Sequence, residues 1–181
     1  MRAIVVYESM YGNTHAIASN IADGLRAAHE VTLLPVAAAT ADLVSQADLL
    51  VVGGPTHMHG LSTSSSRQLA VKTAAKSASG PALDPDAPGP GLRGWLGDLA
   101  GRKALAAAFD TRLVGIPVFT GRASRGISRL LKRHGYYLVM PAESFLIGQQ
   151  NVLVDGETSR ARRWGAALGA AAAIAHAPAS A

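Results

Sequence analysis

Apolar residues fall along this chain in two alternating patterns: short continuous runs, and longer segments in which they recur every three or four positions. Residues 2–8 (RAIVVYE) are apolar and β-branched without strict alternation, as in a strand covered on both faces. From Asn13 to about Ala28, Ile17, Ile21 and Leu25 recur at four-residue spacing and predict a helix. Glu30 to Val36 (EVTLLPV) predicts a second strand, with Pro35 marking an edge or an end. A short helix follows over Ala41 to Gln46, and Ala47 to Gly54 (ADLLVVGG) predicts a buried central strand.

Thr63 to Ala78 predicts a helix, and the Gly- and Pro-rich Ser79 to Gly101 reads mainly as loop, with Trp95, Leu96 and Leu99 pinning its end to the body. Lys103 to Phe109 (KALAAAF) is expected as a fourth strand, although alanine favours helix. Ser124 to His134 predicts a helix stopped by Gly135, and Tyr137 to Ile147 a fifth strand or two pieces broken near Pro141. Gly148 to Gly156 is loop, and Glu157 to about Ala175 is the last helix. Strand thus alternates with helix, so the expected fold is α/β: a doubly wound five-stranded parallel sheet with helices on both faces. One domain is expected over 1–175, with an insertion-like loop at 79–101 and a frayed tail at 176–181.

Composition narrows the function. With 181 residues, 49% hydrophobic and 16% charged, the chain can bury a core. It has no cysteine, which excludes disulfides, thiolate catalysis and Cys-ligated metal, and fits a reducing cytoplasm. No apolar run approaches the ~20 residues of a membrane span. The net charge of +5 raises the question of nucleic acid. The basic cluster Arg122 to Arg133 has no interleaved aromatics and no reading element beside it, so it reads as a solvated helix face.

In doubly wound sheets, ligands bind outside the carboxyl ends of the strands. That directs attention to Ser9–Thr14, Pro55–Gly60 and Asp110–Arg112. The first of these, SMYGNT, leaves a strand and enters a helix, whose free N–H groups and dipole suit an anion. The loop contains no Lys or Arg, so its donors are neutral and suit a monophosphate. GxxxxGK[ST] fails for want of the lysine, and GxGxxG because Gly12 stands alone. His57 and His59 are too few to hold zinc. No proton-transfer dyad stands out, so no catalytic acid or base is assigned.

Ser9-Met10-Tyr11-Gly12-Asn13-Thr14 resembles the first loop of the flavodoxin family, [ST]-x-[TYF]-G-N-T. Gly53-Gly54-Pro55-Thr56-His57-Met58-His59-Gly60 resembles that family's third-strand exit, and Phe109-Asp110-Thr111-Arg112 lies where its second flavin-flanking loop falls. The resemblance implies an FMN cofactor. By it, Ser9, Met10, Tyr11, Gly12, Asn13 and Thr14 surround the phosphate. Pro55, Thr56, His57, Met58, His59 and Gly60 flank one side of the ring, and Asp110, Thr111 and Arg112 the other. It implies an electron carrier serving a redox partner protein, or a flavin-dependent oxidoreductase acting on a small quinone-like substrate, and it leaves a homo-oligomer open. The loops lack the Trp or Tyr that the family commonly stacks on the ring. The alternative reading is therefore a flavodoxin-fold binding or regulatory module without flavin. The family's shuttles are acidic, so a basic chain implies acidic partners instead.

Overall fold

The structure, a computed structural model, describes residues 1–57, 60–76, 82–116 and 120–177. Its strands are β1 (Arg2–Tyr7), β2 (Glu30–Pro35), β3 (Leu49–His57), β4 (Gly60–Leu61), β5 (Leu105–Leu113), β6 (Tyr137–Leu138) and β7 (Glu143–Ile147). Its helices are α1 (Asn13–Leu25), α2 (Ala41–Ser45), α3 (Ser64–Lys76), α4 (Leu92–Gly97), α5 (Ala123–Arg133) and α6 (Glu157–His176). The sheet order is β2-β1-β3-β5-β6, with β7 continuing beside β5 after the break around Pro141. All these pairings are parallel; the short β4 runs antiparallel against the end of β3. This is the doubly wound five-stranded arrangement expected from the sequence, with β6 and β7 sharing the fifth position.

Strand alternation sends side chains to two cores. Ile4, Val6, Leu50, Val52, Ala106 and Ala108 face a layer containing Val44 of α2, Leu92 and Leu96 of α4, and Ile127 and Leu131 of α5. Ala3, Val5, Leu49, Val51, Ala107 and Phe109 face α1 and α6, meeting Ile17, Ile21, Trp164 and Leu168. Burial overrides propensity in KALAAAF: Ala106, Ala107 and Ala108 are covered by one helix layer or the other, and small side chains let the helices approach. Gly53 pairs with Phe109 across β3 and β5, and a Cβ there would lie 2.1 Å from the phenyl ring. The ring occupies the space that a side chain at 53 would need.

Three expectations are revised. The fourth strand does not end at Phe109; β5 continues to Leu113, so Asp110, Thr111 and Arg112 are strand residues and not a loop. Each finds a partner that makes its burial tolerable, as described below. The described part of 79–101 is not all loop, because α4 forms within it. Leu92 and Leu96 are fully buried, and Trp95 donates its indole N–H to the Ala39 carbonyl at 2.8 Å. The third strand runs past Gly54 to His57 before β4 turns back.

The edge at β7 is closed by side chains. Glu157 accepts the Leu146 N–H at 2.7 Å, and Arg160 donates to the Ser144 carbonyl at 2.6 Å. Both are outward ladder groups that would otherwise offer an edge for another strand. Burial raises the Glu157 carboxyl, but the Arg160 guanidinium and the Leu146 N–H pull it lower overall, so it stays ionised.

Candidate functional site

The carboxyl ends of β1, β3, β5 and β7 converge on a cleft of about 100 Å³. Its first wall is the turn between β1 and α1. Gly12, at φ +84°, takes the left-handed conformation that L side chains rarely adopt, and a Cβ there would meet nothing within 4 Å. It sets α1 off at Asn13 with its first-turn N–H groups unpaired inside the helix. Ser9 is buried and its hydroxyl accepts the Gly12 N–H at 3.1 Å. Met10 also borders the cleft, and it is buried against Ala70 and Ala87. Tyr11 lines the cleft and donates to the Ala70 carbonyl at 3.2 Å, and burial raises its phenol.

The second wall is the end of β3. Pro55, Thr56 and His57 line it, and Gly60 pairs with His57 across the β3–β4 turn. Burial lowers the His57 imidazole, Arg67 adds to the effect and Glu8 opposes it, so the ring is uncharged at neutral pH. Its Nε2 is buried and has no hydrogen-bond partner among the described residues. Met58 and His59 lie outside the described residues, as does Phe119.

The third wall is β5, and here the candidate residues divide. Thr111 meets Thr14 hydroxyl to hydroxyl at 2.8 Å inside the cleft. Asp110 instead serves α5: its Oδ2 accepts the Ser124 N–H at 2.8 Å and the Thr56 hydroxyl at 3.2 Å. The Thr56 oxygen in turn accepts the Ala123 N–H at 2.9 Å. A carboxylate at a helix amino end satisfies free donors and the dipole together, which explains a charged residue at 0% exposure. Asp110 therefore positions the wall and does not face the cleft. Arg112 lines the cleft, with its Nη1 held by the carbonyls of Leu113 and Gly115 at 3.2 and 2.9 Å.

Two contributors escaped the sequence reading. The loop after β7 brings in Asn151, whose carbonyl accepts the Asn13 side-chain amide at 2.8 Å. Its φ of +59° follows another positive φ at Gln150, an uncommon conformation for non-glycine residues. The rule that ligands sit at strand ends, applied to the first, third and fourth strands, extends to this loop as well, since it leaves β7. The other is the segment after α3, which was expected to be bare loop. The Asp84 N–H donates to the Met10 carbonyl at 2.9 Å, and the Tyr7 hydroxyl donates to Asp86 at 2.9 Å. Burial and Asp86 together raise the Tyr7 phenol, so it stays a donor. His15 stacks on Tyr7 with ring centroids 4.5 Å apart and stands 3.5 Å from Asp84. This segment thus braces the β1–α1 turn from outside.

An open doubly wound sheet with a cleft at its strand ends, bordered by the amino end of the first helix, is the architecture in which α/β proteins place their ligand sites. A family model described as Flavodoxin matches residues 5–110, more than half of the chain. The chain belongs to the flavodoxin family. No curated protein matches its sequence. Among solved structures it is similar to a flavodoxin from the domain Archaea, with TM-score 0.66 and 19% identity, covering 96% of this chain and 99% of that one. It is also similar to oxidised Flavodoxin 1 from Bacillus cereus, with TM-score 0.65 and 16% identity over 98% and 100% of the two chains. The rubredoxin oxygen:oxidoreductase of Desulfovibrio gigas matches with TM-score 0.61 and 15% identity; 98% of this chain is covered but only 37% of that one. At such identities the likeness is one of fold. None of the described helices is long and apolar enough to cross a membrane.

Proposed function

We propose that the protein binds FMN and works through it as an electron carrier or a flavin-dependent oxidoreductase in the cytoplasm. The observation that carries this reading is the β1–α1 turn. It is an anion cradle of neutral donors, opposed across one cleft by an uncharged imidazole with an unpartnered nitrogen. Bound FMN would supply the redox chemistry, accepting and releasing electrons one or two at a time.

The residues divide the work. The first-turn N–H groups of α1, with the hydroxyls of Ser9 and Thr14 and the Asn13 amide, hold the phosphate. Neutral donors at a helix amino end stabilise a dianion without side-chain charge. His57 would offer its free Nε2 to the ligand from the β3 wall, where it is largely buried. Arg112 sets a positive charge on the opposite wall, where it favours electron density on the ligand. The cleft is smaller than the ~300 Å³ usual for such ligands. The Asn13–Asn151 and Thr14–Thr111 hydrogen bonds would have to give way for Asn13 and Thr14 to bind the phosphate. The formal charge of +5 steers an acidic redox partner or an anionic substrate towards the chain.

Titration of FMN into the purified chain, followed by quenching of flavin fluorescence, tests the reading. Replacing Ser9 and Thr14 together by alanine should weaken binding by about 1–3 kcal/mol, roughly five- to 150-fold, with the far-ultraviolet spectrum unchanged. An unchanged dissociation constant would remove these hydroxyls from the site. The two hydrogen bonds that close the cleft favour a second reading, a binding module on the same fold without flavin. A protein that takes up no FMN at any concentration would support that one.

A further inference from the structure

Arg112 separates two pockets. One is the cleft described above; the other, of about 430 Å³, lies between β5, β7 and the amino ends of α5 and α6. The second pocket is walled by three guanidinium groups, Arg112, Arg122 and Arg160, and two carboxylates, Glu143 and Glu157. Both carboxylates are already engaged. Arg160 donates to Glu143 at 2.6 Å and to the two Glu157 oxygens at 3.0 and 2.6 Å. Arg160 is thereby matched by both carboxylates, and the pocket as a whole keeps one surplus positive charge, on the side of Arg112 and Arg122.

Among the described residues neither of these two forms an ion pair. Arg112 is 8% exposed, and its Nη1 is saturated by two carbonyls and the Thr120 hydroxyl, while its Nε is buried without an acceptor. The Arg122 side chain forms no hydrogen bond or ion pair among the described residues, and its Nε is buried as well. The Ser144 hydroxyl, on a residue of the same wall, is a third buried polar atom without a partner. Asp110 attracts Arg112 from two positions back on β5, but its Oδ2 is taken by α5 and it forms no ion pair. Burial, with Arg122 and then Arg160 adding to it, weakens the hold of Arg112 on its proton, against Asp110 and Glu157. Folded chains rarely leave several buried donors unmet around one cavity, because each unmet donor is costly. Guanidinium groups match carboxylates and phosphates in shape as well as charge.

We infer that Arg112, Arg122 and Ser144 form an anion site that takes the carboxylate or phosphate of a small molecule next to the flavin cleft. The site itself stands on these contacts alone. Its role as a substrate site rests on the flavin reading: a molecule anchored there lies across Arg112 from the ring, so the oxidoreductase would act on an anionic substrate.

The test titrates inorganic phosphate, and separately malonate, into the full chain without FMN, at ionic strength held constant with chloride. The readouts are the thermal midpoint and the side-chain Nε–Hε signals of arginine by NMR. Saturable binding with a raised midpoint is expected from at least one of them, and whichever binds more tightly identifies the chemistry of the substrate. Arg122→Gln removes no described bond, so it should keep the fold while weakening that binding at least tenfold. Repeating the titration after FMN is added should leave the affinity unchanged, because the phosphate cradle is a separate place. A linear, unsaturable response to both anions would overturn the site, as would full-strength binding by Arg122→Gln or direct competition with FMN. Failure of the protein to take up FMN would leave the first titration valid and cancel only the substrate role.

Discussion

Gly165→Val should cost about 3 kcal/mol or more of folding stability, a large share of the 5–15 kcal/mol typical of a domain. The α1 and α6 helices cross so closely that a Cβ at 165 would stand 2.3 Å from the Ile21 carbonyl oxygen. Gly24 makes the reciprocal contact, 2.1 Å from the Arg162 carbonyl. Both obstacles are backbone, so no rotamer change relieves them, and the helices must separate or tilt. Because α1 carries the phosphate cradle at its amino end, the displacement should also weaken anion binding. Urea denaturation measures the loss directly. Gly94→Ala provides the contrast: it sits in α4 with nothing within 4 Å of its would-be Cβ, and should be neutral or slightly stabilising. If Gly165→Val matched wild type, the close crossing would be wrong.

Glu8→Ala should be comparably harmful, by about 3–5 kcal/mol. Glu8 directly follows β1 and is buried, and its carboxylate gathers three segments. It accepts the Ser62 hydroxyl at 2.8 Å and the Leu92 N–H at the start of α4 at 2.7 Å, and it pairs with Arg67 of α3 at 3.5 Å. Removing it strands a guanidinium whose side chain is only 13% exposed, along with a buried hydroxyl and a helix-start N–H. The segment holding Asp84 and Asp86 hangs on the same framework, since Arg67 also donates to the Ala87 and Gly89 carbonyls. Hydrogen exchange should therefore rise in 82–97 well before it rises in β1 and β3. Uniform exchange across the chain, or a loss under 1 kcal/mol, would show that the carboxylate is not the tie described.

These two residues show where the sequence was legible and where it was not. The central strands declared themselves because a strand covered on both faces must be continuously apolar. The first helix did so because one of its faces is buried. Gly24 and Gly165 looked like weak points in helices; their use, letting two backbones touch, exists only once the helices are paired. The continuation of β5 was hidden because Asp110, Thr111 and Arg112 are polar. Asp110 and Thr111 are buried through partners distant in sequence, the α5 amino end and Thr14, and Arg112 through the carbonyls of Leu113 and Gly115 that its own bend brings back to it. The α4 helix was masked by glycines on either side of Leu92 and Leu96. The cradle at Ser9–Thr14 was the most readable part of the site because a single turn contains all of it. Asn151 and the brace from Asp84 and Asp86 come from far along the chain and left no local pattern.

The central claim is that the amino end of α1 grips the phosphate of a flavin mononucleotide. Comparing the affinities of the chain for FMN and for riboflavin, which differ by that phosphate alone, tests it most directly. Hydrogen bonds to a charged group contribute about 1.5–3 kcal/mol each, so two or more should make FMN bind at least about a hundredfold more tightly. Equal affinities, or preference for riboflavin, would contradict the account.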